Sequence, residues 1–351
     1  MSSLSAVSVR AVLDQLSVDP QDALAALEGA PELIGDETSW PIRLLTGFGA
    51  WLAGMFFLSI FACFGVLTDP PAQIGMGVLL LLISIAIRER SPARGRTFFT
   101  QLALSWVVAG QALVVAGTIQ EHDENAAVAA AIVMALGLLL GFRDPVQRWA
   151  STVVATLGTA ILMGLYEVSH TVDIMVLLTS SAMAAVWLFS GALLTGPAAP
   201  LQRPVGFGLA TSLGLILITS VMPSSQSMPT PWSMIVLGPL LLGVVLRLLL
   251  KHQLSPTSPA GLLAMIGTVT IAGITWSAPG VSASLLMAAL AVECRNRLLL
   301  GLSVILLVSF GTAFYYWLDV SLLQKSSILI ASGLLLLALR MAAQRLTERP
   351  Q

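Results

Sequence analysis

The chain has 351 residues, of which 56% are hydrophobic and only 10% are charged. A soluble domain of this size carries about 25% charged residues, because water must wet its surface. The composition therefore excludes an ordinary soluble enzyme, a disordered protein and a nucleic-acid binder with a broad basic face. It predicts a polytopic membrane protein that has the lipid bilayer as its partner and binds no nucleic acid.

Residues 1–43 form the first element, a short acidic segment. Segments 12–16 and 22–27 have the apolar spacing of helices, and Asp19-Pro20 is a suitable helix start. Seven acidic residues against two arginines make the segment net negative, and it is too short for a core of its own. We expect two small helices that pack on the cytoplasmic surface or serve as a docking arm for a partner. Because the segment lacks an apolar stretch, no cleaved signal peptide is expected.

Twelve apolar runs follow this segment. A helix that spans the roughly 30 Å hydrocarbon core needs about 20 mostly apolar residues, and continuous runs favour helices over barrel strands. We therefore predict an all-α bundle in one transmembrane domain, residues 44–343, and a cytoplasmic tail at 344–351. The predicted spans are 44–67, 71–87, 98–119, 126–142, 149–166, 172–195, 205–222, 231–250, 260–276, 278–294, 298–318 and 322–340. Whether the two shortest, 71–87 and 278–294, cross fully is left open.

The basic residues predict the orientation of these spans. When alternate connections are counted, one side holds sixteen of the 17 basic residues and the other holds only Lys325. Cytoplasmic loops attract Lys and Arg, so both termini are predicted to be cytoplasmic. The other side is acidic, for which a solvated loop surface is the simplest explanation.

Small residues in the runs predict close helix packing. The pairs Gly137/Gly141 and Ala210/Gly214 have the small-xxx-small spacing that lets helices approach. Gly47, Gly49 and Gly54 in the first run are expected to act in the same way.

Two segments carry a family resemblance. One is Trp40-Pro-Ile-Arg43 leading into a Gly-rich first span with Ala-Trp51-Leu-Ala, and the other is Gln101-Leu-Ala-Leu-Ser-Trp106-Val-Val-Ala-Gly-Gln111. Together they resemble an uncharacterised bacterial family of multi-pass inner-membrane proteins, classed as a domain of unknown function. The resemblance implies an all-helical membrane fold in the inner membrane. It also implies a second membrane protein as partner, named for a Gly-Asp-Tyr-x-x-Leu-x-Tyr (GDYxxLxY) motif and commonly encoded alongside, and it brings no catalytic residue.

Chemistry inside the bilayer is sparse. In the predicted frame no ionisable side chain lies at mid-membrane, and Asp173, Arg247, Glu293 and Lys325 lie near helix ends, where they are expected to extend to the headgroups. This weakens proton-coupled transport and ion-channel functions. Gln111 is the most conspicuous polar side chain within a span. It is either a substrate contact or, as we favour, an interhelical hydrogen bond to a Ser or Thr.

Two outer loops hold the remaining candidates for chemistry. They are Glu121, His122, Asp123 and Glu124 in one connection, and Glu167 and His170 in another. Glu and His side chains can bind a divalent cation or act as an acid/base pair. No spacing is diagnostic, so we predict no catalytic, cofactor or metal site and expect no cofactor, and we name these six as low-specificity metal candidates.

Three functions remain. The favoured one is a non-catalytic component of a membrane complex, because the loops are short and the chemistry is sparse. The alternative is a transporter of a small neutral solute or lipid, although no six-plus-six repeat is evident. The third is a membrane-embedded transferase that uses outer-face His and Glu residues.

Overall fold

The computed structural model describes residues 40–63, 65, 68–90, 96–194, 196, 198–220, 232–276 and 278–317, with 323, 326, 330, 337 and 341 as single positions. This part of the chain is all-helical and contains no strand. The helices are α1 (Trp40–Cys63), α2 (Pro70–Arg90), α3 (Arg96–Glu121), α4 (Glu124–Gly141), α5 (Pro145–Leu165), α6 (Thr171–Leu188), α7 (Ser190–Leu194), α8 (Ala199–Ser220), α9 (Trp232–Lys251), α10 (Pro259–Ile274), α11 (Pro279–Glu293) and α12 (Arg297–Trp317).

The predicted fold class is confirmed as all-helical, and a helix lies at each of the first eleven predicted spans. Seven helices, α2–α6, α8 and α9, are long and apolar enough to cross a membrane. The chain is thus a multi-pass membrane protein by helix length and composition. The twelfth predicted span, 322–340, and the polar segment before Trp40 lie outside the described residues, apart from single positions in the former.

The two shortest predicted spans have different outcomes in the structure. The run 71–87 lies within α2, which has 21 residues because the helix continues through Arg88 to Arg90. The run 278–294 corresponds to α11, which has only 15 residues. At 1.5 Å per residue such a helix is about 22 Å long, short of the roughly 30 Å hydrocarbon core. The predicted sixth span, 172–195, also differs, since α6 ends at Leu188 and the short α7 follows.

Capping residues determine where several helices begin. The Asp144 carboxylate accepts hydrogen bonds from the backbone N–H groups of Val146 and Gln147, at 2.9 and 3.2 Å. Pro145 then occupies the first turn of α5, where its missing N–H costs nothing. Asp123 caps α4 through the Ala126 N–H at 2.7 Å. Each cap satisfies N–H groups that have no partner within the helix.

Helices α2 and α3 form the closest pair in the N-terminal half. A Cβ atom added at Gly77 would lie 2.6 Å from the Gly110 carbonyl oxygen, and one at Gly110 would lie 2.8 Å from the Gly77 carbonyl oxygen. The two backbones therefore touch where neither residue has a side chain. Helix α1 packs on α3 in the same manner, because a Cβ atom at Gly54 would meet the Ser105 hydroxyl, which confirms the packing role predicted for Gly54.

The largest core joins α6, α8, α9, α11 and α12. The Trp187 indole is 3% exposed and lies against Gly206 of α8, and the Phe310 ring of α12 lies against Gly280 of α11. A Cβ atom added at Gly214 would lie 3.1 Å from Leu306 Cδ1, as the predicted packing role of Gly214 requires.

The prediction for Gly49, Gly137 and Gly141 is wrong. A Cβ atom at any of these three positions would meet nothing within 4 Å among the described residues. At Gly47 an added Cβ atom would make only ordinary contact, 3.6 Å from the Gln101 side chain. The small-xxx-small pair lies on a face of α4 that has no described neighbour.

Successive helices run in alternating directions, which gathers their charged ends. Arg88 at the end of α2 contacts Thr100 at the start of α3, and Arg148 at the start of α5 contacts Pro200 at the start of α8. We call this the basic end, because it holds the described Lys and Arg residues: Arg43, Arg88, Arg90, Arg96, Arg143, Arg148, Arg203, Arg247, Lys251, Arg295 and Arg297. The opposite, acidic end carries Asp69, Glu121, Asp123, Glu124, Glu167 and Asp173.

Candidate functional site

A buried carboxylate organises one part of the basic end. Glu293 is the last residue of α11, and its side chain is only 7% exposed. The Lys251 Nζ lies 3.2 Å from its Oε1 and donates to the Glu293 carbonyl oxygen at 2.7 Å. The Arg247 Nε lies 3.4 Å from the same Oε1. The two cations of α9 thus compensate the charge that α11 buries.

This cluster also holds α6. Arg247 donates from Nη2 to the Leu188 carbonyl oxygen at 3.3 Å, and the Cys294 Sγ lies 3.3 Å from the Trp187 carbonyl oxygen. The carboxyl ends of α6, α9 and α11 therefore meet at one point. Cations are favourable at such ends, where backbone carbonyls without helical partners concentrate partial negative charge. The arrangement is a latch between helices, since its two cations bind Glu293 Oε1 and the backbone carbonyl oxygens of Glu293 and Leu188.

Glu293 corrects a prediction from the sequence. Its position near a helix end predicts that the side chain extends to the headgroups, but the carboxylate is buried. Asp173 is likewise 7% exposed in the first turn of α6. Position along a helix gives the depth of a residue in the membrane, whereas burial depends on which helices pack beside it.

A second polar group joins α2, α3, α4 and α5. Arg88 donates to the Thr100 hydroxyl at 2.8 Å and lies 3.7 Å from the Asp144 carboxylate, which also caps α5. Next to it, the buried Arg148 donates to the Pro200 carbonyl oxygen at 3.2 Å, and the buried Gln147 amide donates to the Ser151 hydroxyl at 3.2 Å. These contacts fix the starts of α5 and α8 relative to each other.

An apolar groove opens beside this group. It has a volume of about 660 Å³ and is bounded by the starts of α5, α8 and α12. Arg203 and Arg297 lie at its polar end, and Phe207 and Ile305 lie farther along its walls. On one side the indole N–H of Trp149 donates to the Thr211 hydroxyl at 3.2 Å, which ties α5 to α8.

Gln111, the predicted polar site inside a span, lies on α3 and is half-buried. Its amide forms no hydrogen bond with any residue that the structure describes, so the predicted bond to a Ser or Thr is not seen there. The fully buried amides are instead Gln73, Gln147 and Gln202, which are 2%, 1% and 4% exposed. The sequence did not single these out because each lies within the first turn or so of its helix.

The six metal candidates from the sequence lie in two loops at the acidic end. Glu121, His122, Asp123 and Glu124 are exposed, and Asp123 serves as a helix cap. Helix α5 ends at Leu165, so Glu167 and His170 lie in a loop with φ angles of 52° and 61° and do not share a helical face. His170 Nδ1 lies 3.5 Å from Asp173. Among the described residues, no three His, Cys, Asp or Glu side chains are grouped so as to hold a metal ion.

Comparison with known proteins identifies the family of the chain. The chain matches the family model "Domain of unknown function (DUF4401)" over residues 39–346, from the start of α1 almost to the end of the chain. No curated protein and no solved structure matches it. The resemblance to an uncharacterised family, based on the segments around Trp40 and Gln101, is confirmed, while the GDYxxLxY-type neighbour stays a prediction. The protein belongs to the DUF4401 family.

Proposed function

We propose that the protein is a non-catalytic component of a complex in the bacterial inner membrane, which it crosses twelve times with both termini in the cytoplasm. The observation that carries this proposal is the position of its charges. Every Asp, Glu, Lys and Arg in the described helices lies within five residues of a helix end. Ion-coupled transport and catalysis within a bilayer use ionisable groups at depth. These helices place theirs at their ends, where Arg88, Arg148 and Lys251 join neighbouring helices.

The partner is a second membrane protein, of the GDYxxLxY type that the family resemblance implies. The acidic residues of segment 1–43 all precede Trp40, where α1 begins. Helix α1 packs mainly on α3 and lies at the edge of the described bundle. Phe48 and Phe56 of α1 are 59% and 70% exposed. Because the acidic segment immediately precedes this exposed apolar helix in the chain, the two supply a partner with a polar contact and an apolar one.

Co-purification tests this proposal. The tagged full-length chain is extracted from its native membrane in a mild detergent, and bound proteins are identified by mass spectrometry. We expect one membrane protein in stoichiometric amount, and we expect it to be lost when residues 1–39 are deleted, a change that leaves α1 intact from Trp40. A full-length chain that purifies without a membrane partner, while remaining monodisperse, would contradict the complex.

The transferase alternative makes a different prediction. If His122 or His170 carried out a reaction, the His122→Ala or His170→Ala variant would fail to restore the wild-type phenotype to a strain that lacks the gene. A non-catalytic component predicts full restoration by both variants, because both side chains are exposed at loops. Loss of restoration with normal protein levels would favour the enzyme.

A further inference from the structure

We propose that the groove between α5, α8 and α12 binds an anionic phospholipid from the leaflet at the basic end. In this arrangement Arg203 and Arg297 bind the headgroup phosphate. The apolar walls of α8 and α12 accommodate the acyl chains. This inference is independent of the proposed complex.

The charge of the groove indicates an anionic ligand. Arg203 and Arg297 are both exposed, and neither forms an ion pair or hydrogen bond with any described residue. None of the described lining residues is acidic. Arg88 and Arg148, close by, are in contrast bound by protein oxygens. Two guanidinium groups that lack a protein acceptor are complementary to a phosphate, which Arg binds through parallel hydrogen bonds.

The length of the groove matches one leaflet. It runs from Arg203 to Thr211 on α8 and from Arg297 to Ile305 on α12. Eight residues of helix rise about 12 Å, and half of the hydrocarbon core is about 15 Å. A lipid with its phosphate on the arginines would therefore place its chains along the apolar stretch, at the depth they have in the bilayer.

The volume of the groove is typical of a ligand site. The groove holds about 660 Å³, within the range of roughly 300–1,000 Å³ that is usual for small-molecule sites. Flexible acyl chains can lie along such an open, irregular groove.

Gly301 provides a way to block the groove without disturbing the fold. It lines the groove on α12, and a Cβ atom added there would meet nothing within 4 Å. A leucine at this position would project into the space assigned to the acyl chains. Gly311, on the same helix, also has open space but does not line the groove, so it supplies the matched control.

Native mass spectrometry of the full-length protein in detergent tests the proposal, with phosphatidylglycerol as the probe and phosphatidylcholine as the neutral comparison. We expect phosphatidylglycerol to bind more tightly. The double variant Arg203→Gln/Arg297→Gln should bind it about 30-fold more weakly, as the loss of two surface-charge contacts predicts. Arg295→Gln, at the same end but outside the groove, should change binding little.

The Gly301→Leu variant distinguishes lipid binding in the groove from a general attraction of anionic lipid to surface charge. It should weaken phosphatidylglycerol binding about 10-fold or more while Gly311→Leu does not, because only the former occupies the acyl-chain space. The proposal is overturned if the double arginine variant binds as the wild type does, if Arg295→Gln weakens binding equally, or if Gly301→Leu has no effect.

Discussion

Replacing Gly77 by alanine tests the closest helix contact of the molecule. The added Cβ atom would lie 2.6 Å from the Gly110 carbonyl oxygen and 3.0 Å from the Val114 nitrogen, and both of these are backbone atoms. Real Cβ atoms essentially never approach closer than 3.0 Å, so α2 and α3 would have to part by at least 0.4 Å at this point. Forcing such an overpacked contact costs about 1–3 kcal/mol.

Gly75→Ala is the matched control, because a Cβ atom at Gly75, on the same helix, meets nothing within 4 Å. There the alanine should stabilise the helix by up to about 1 kcal/mol, since glycine is the poorer helix former. The free energy of unfolding is measured for both variants by SDS titration in mixed micelles, followed by tryptophan fluorescence. The reasoning is refuted if Gly77→Ala is no less stable than Gly75→Ala.

Two further predictions concern the charged ends. Glu293→Ala should lower the free energy of unfolding by about 1–2 kcal/mol. This is less than the roughly 3–5 kcal/mol of a fully buried pair, because the two cations of Glu293 are about half exposed and can reach water. As the control, Glu89→Ala at an exposed position should change the free energy of unfolding by less than about 0.5 kcal/mol, and equal effects of the two variants would contradict the latch. In a chain whose Cys63 and Cys294 are replaced by alanine, a membrane-impermeant maleimide should label Glu121→Cys in intact cells and Glu89→Cys only after permeabilisation. Labelling of both in intact cells would exclude the alternating topology.

The helices could be predicted because apolar runs of membrane length leave the backbone no other way to satisfy its hydrogen bonds. The ends of the helices were harder to predict. Helix α2 continues past its apolar run through Arg88 to Arg90, since a helix can extend its charged last turn beyond the hydrocarbon. The sequence pattern gives the length of the apolar stretch and therefore underestimates the length of such a helix.

The contacts between helices could not be predicted in the same way. Spacing identified Gly137 and Gly141, which meet no described residue, and did not identify Gly77 and Gly110, which touch across two helices. A small residue allows close approach only where a second helix lies beside it, whether that helix presents another glycine, as at Gly77, or a large ring, as Phe310 does at Gly280. That condition joins positions on different helices, so no pattern within one run reveals it. The burial of Glu293 depends on α9 in the same way.

The residues of the basic end therefore have two roles. Lys and Arg placed there are predicted to orient the chain, and several of them also hold helix ends together, as Arg88 does with α3 and α5 and as Lys251 does with α11. Orientation depends on the sum of many charges, whereas each of these contacts depends on one side chain. Neutralising a single one of these residues should thus reduce stability while leaving the orientation unchanged. Arg203 and Arg297, which no described residue binds, should show the opposite pattern, with stability retained and lipid binding lost.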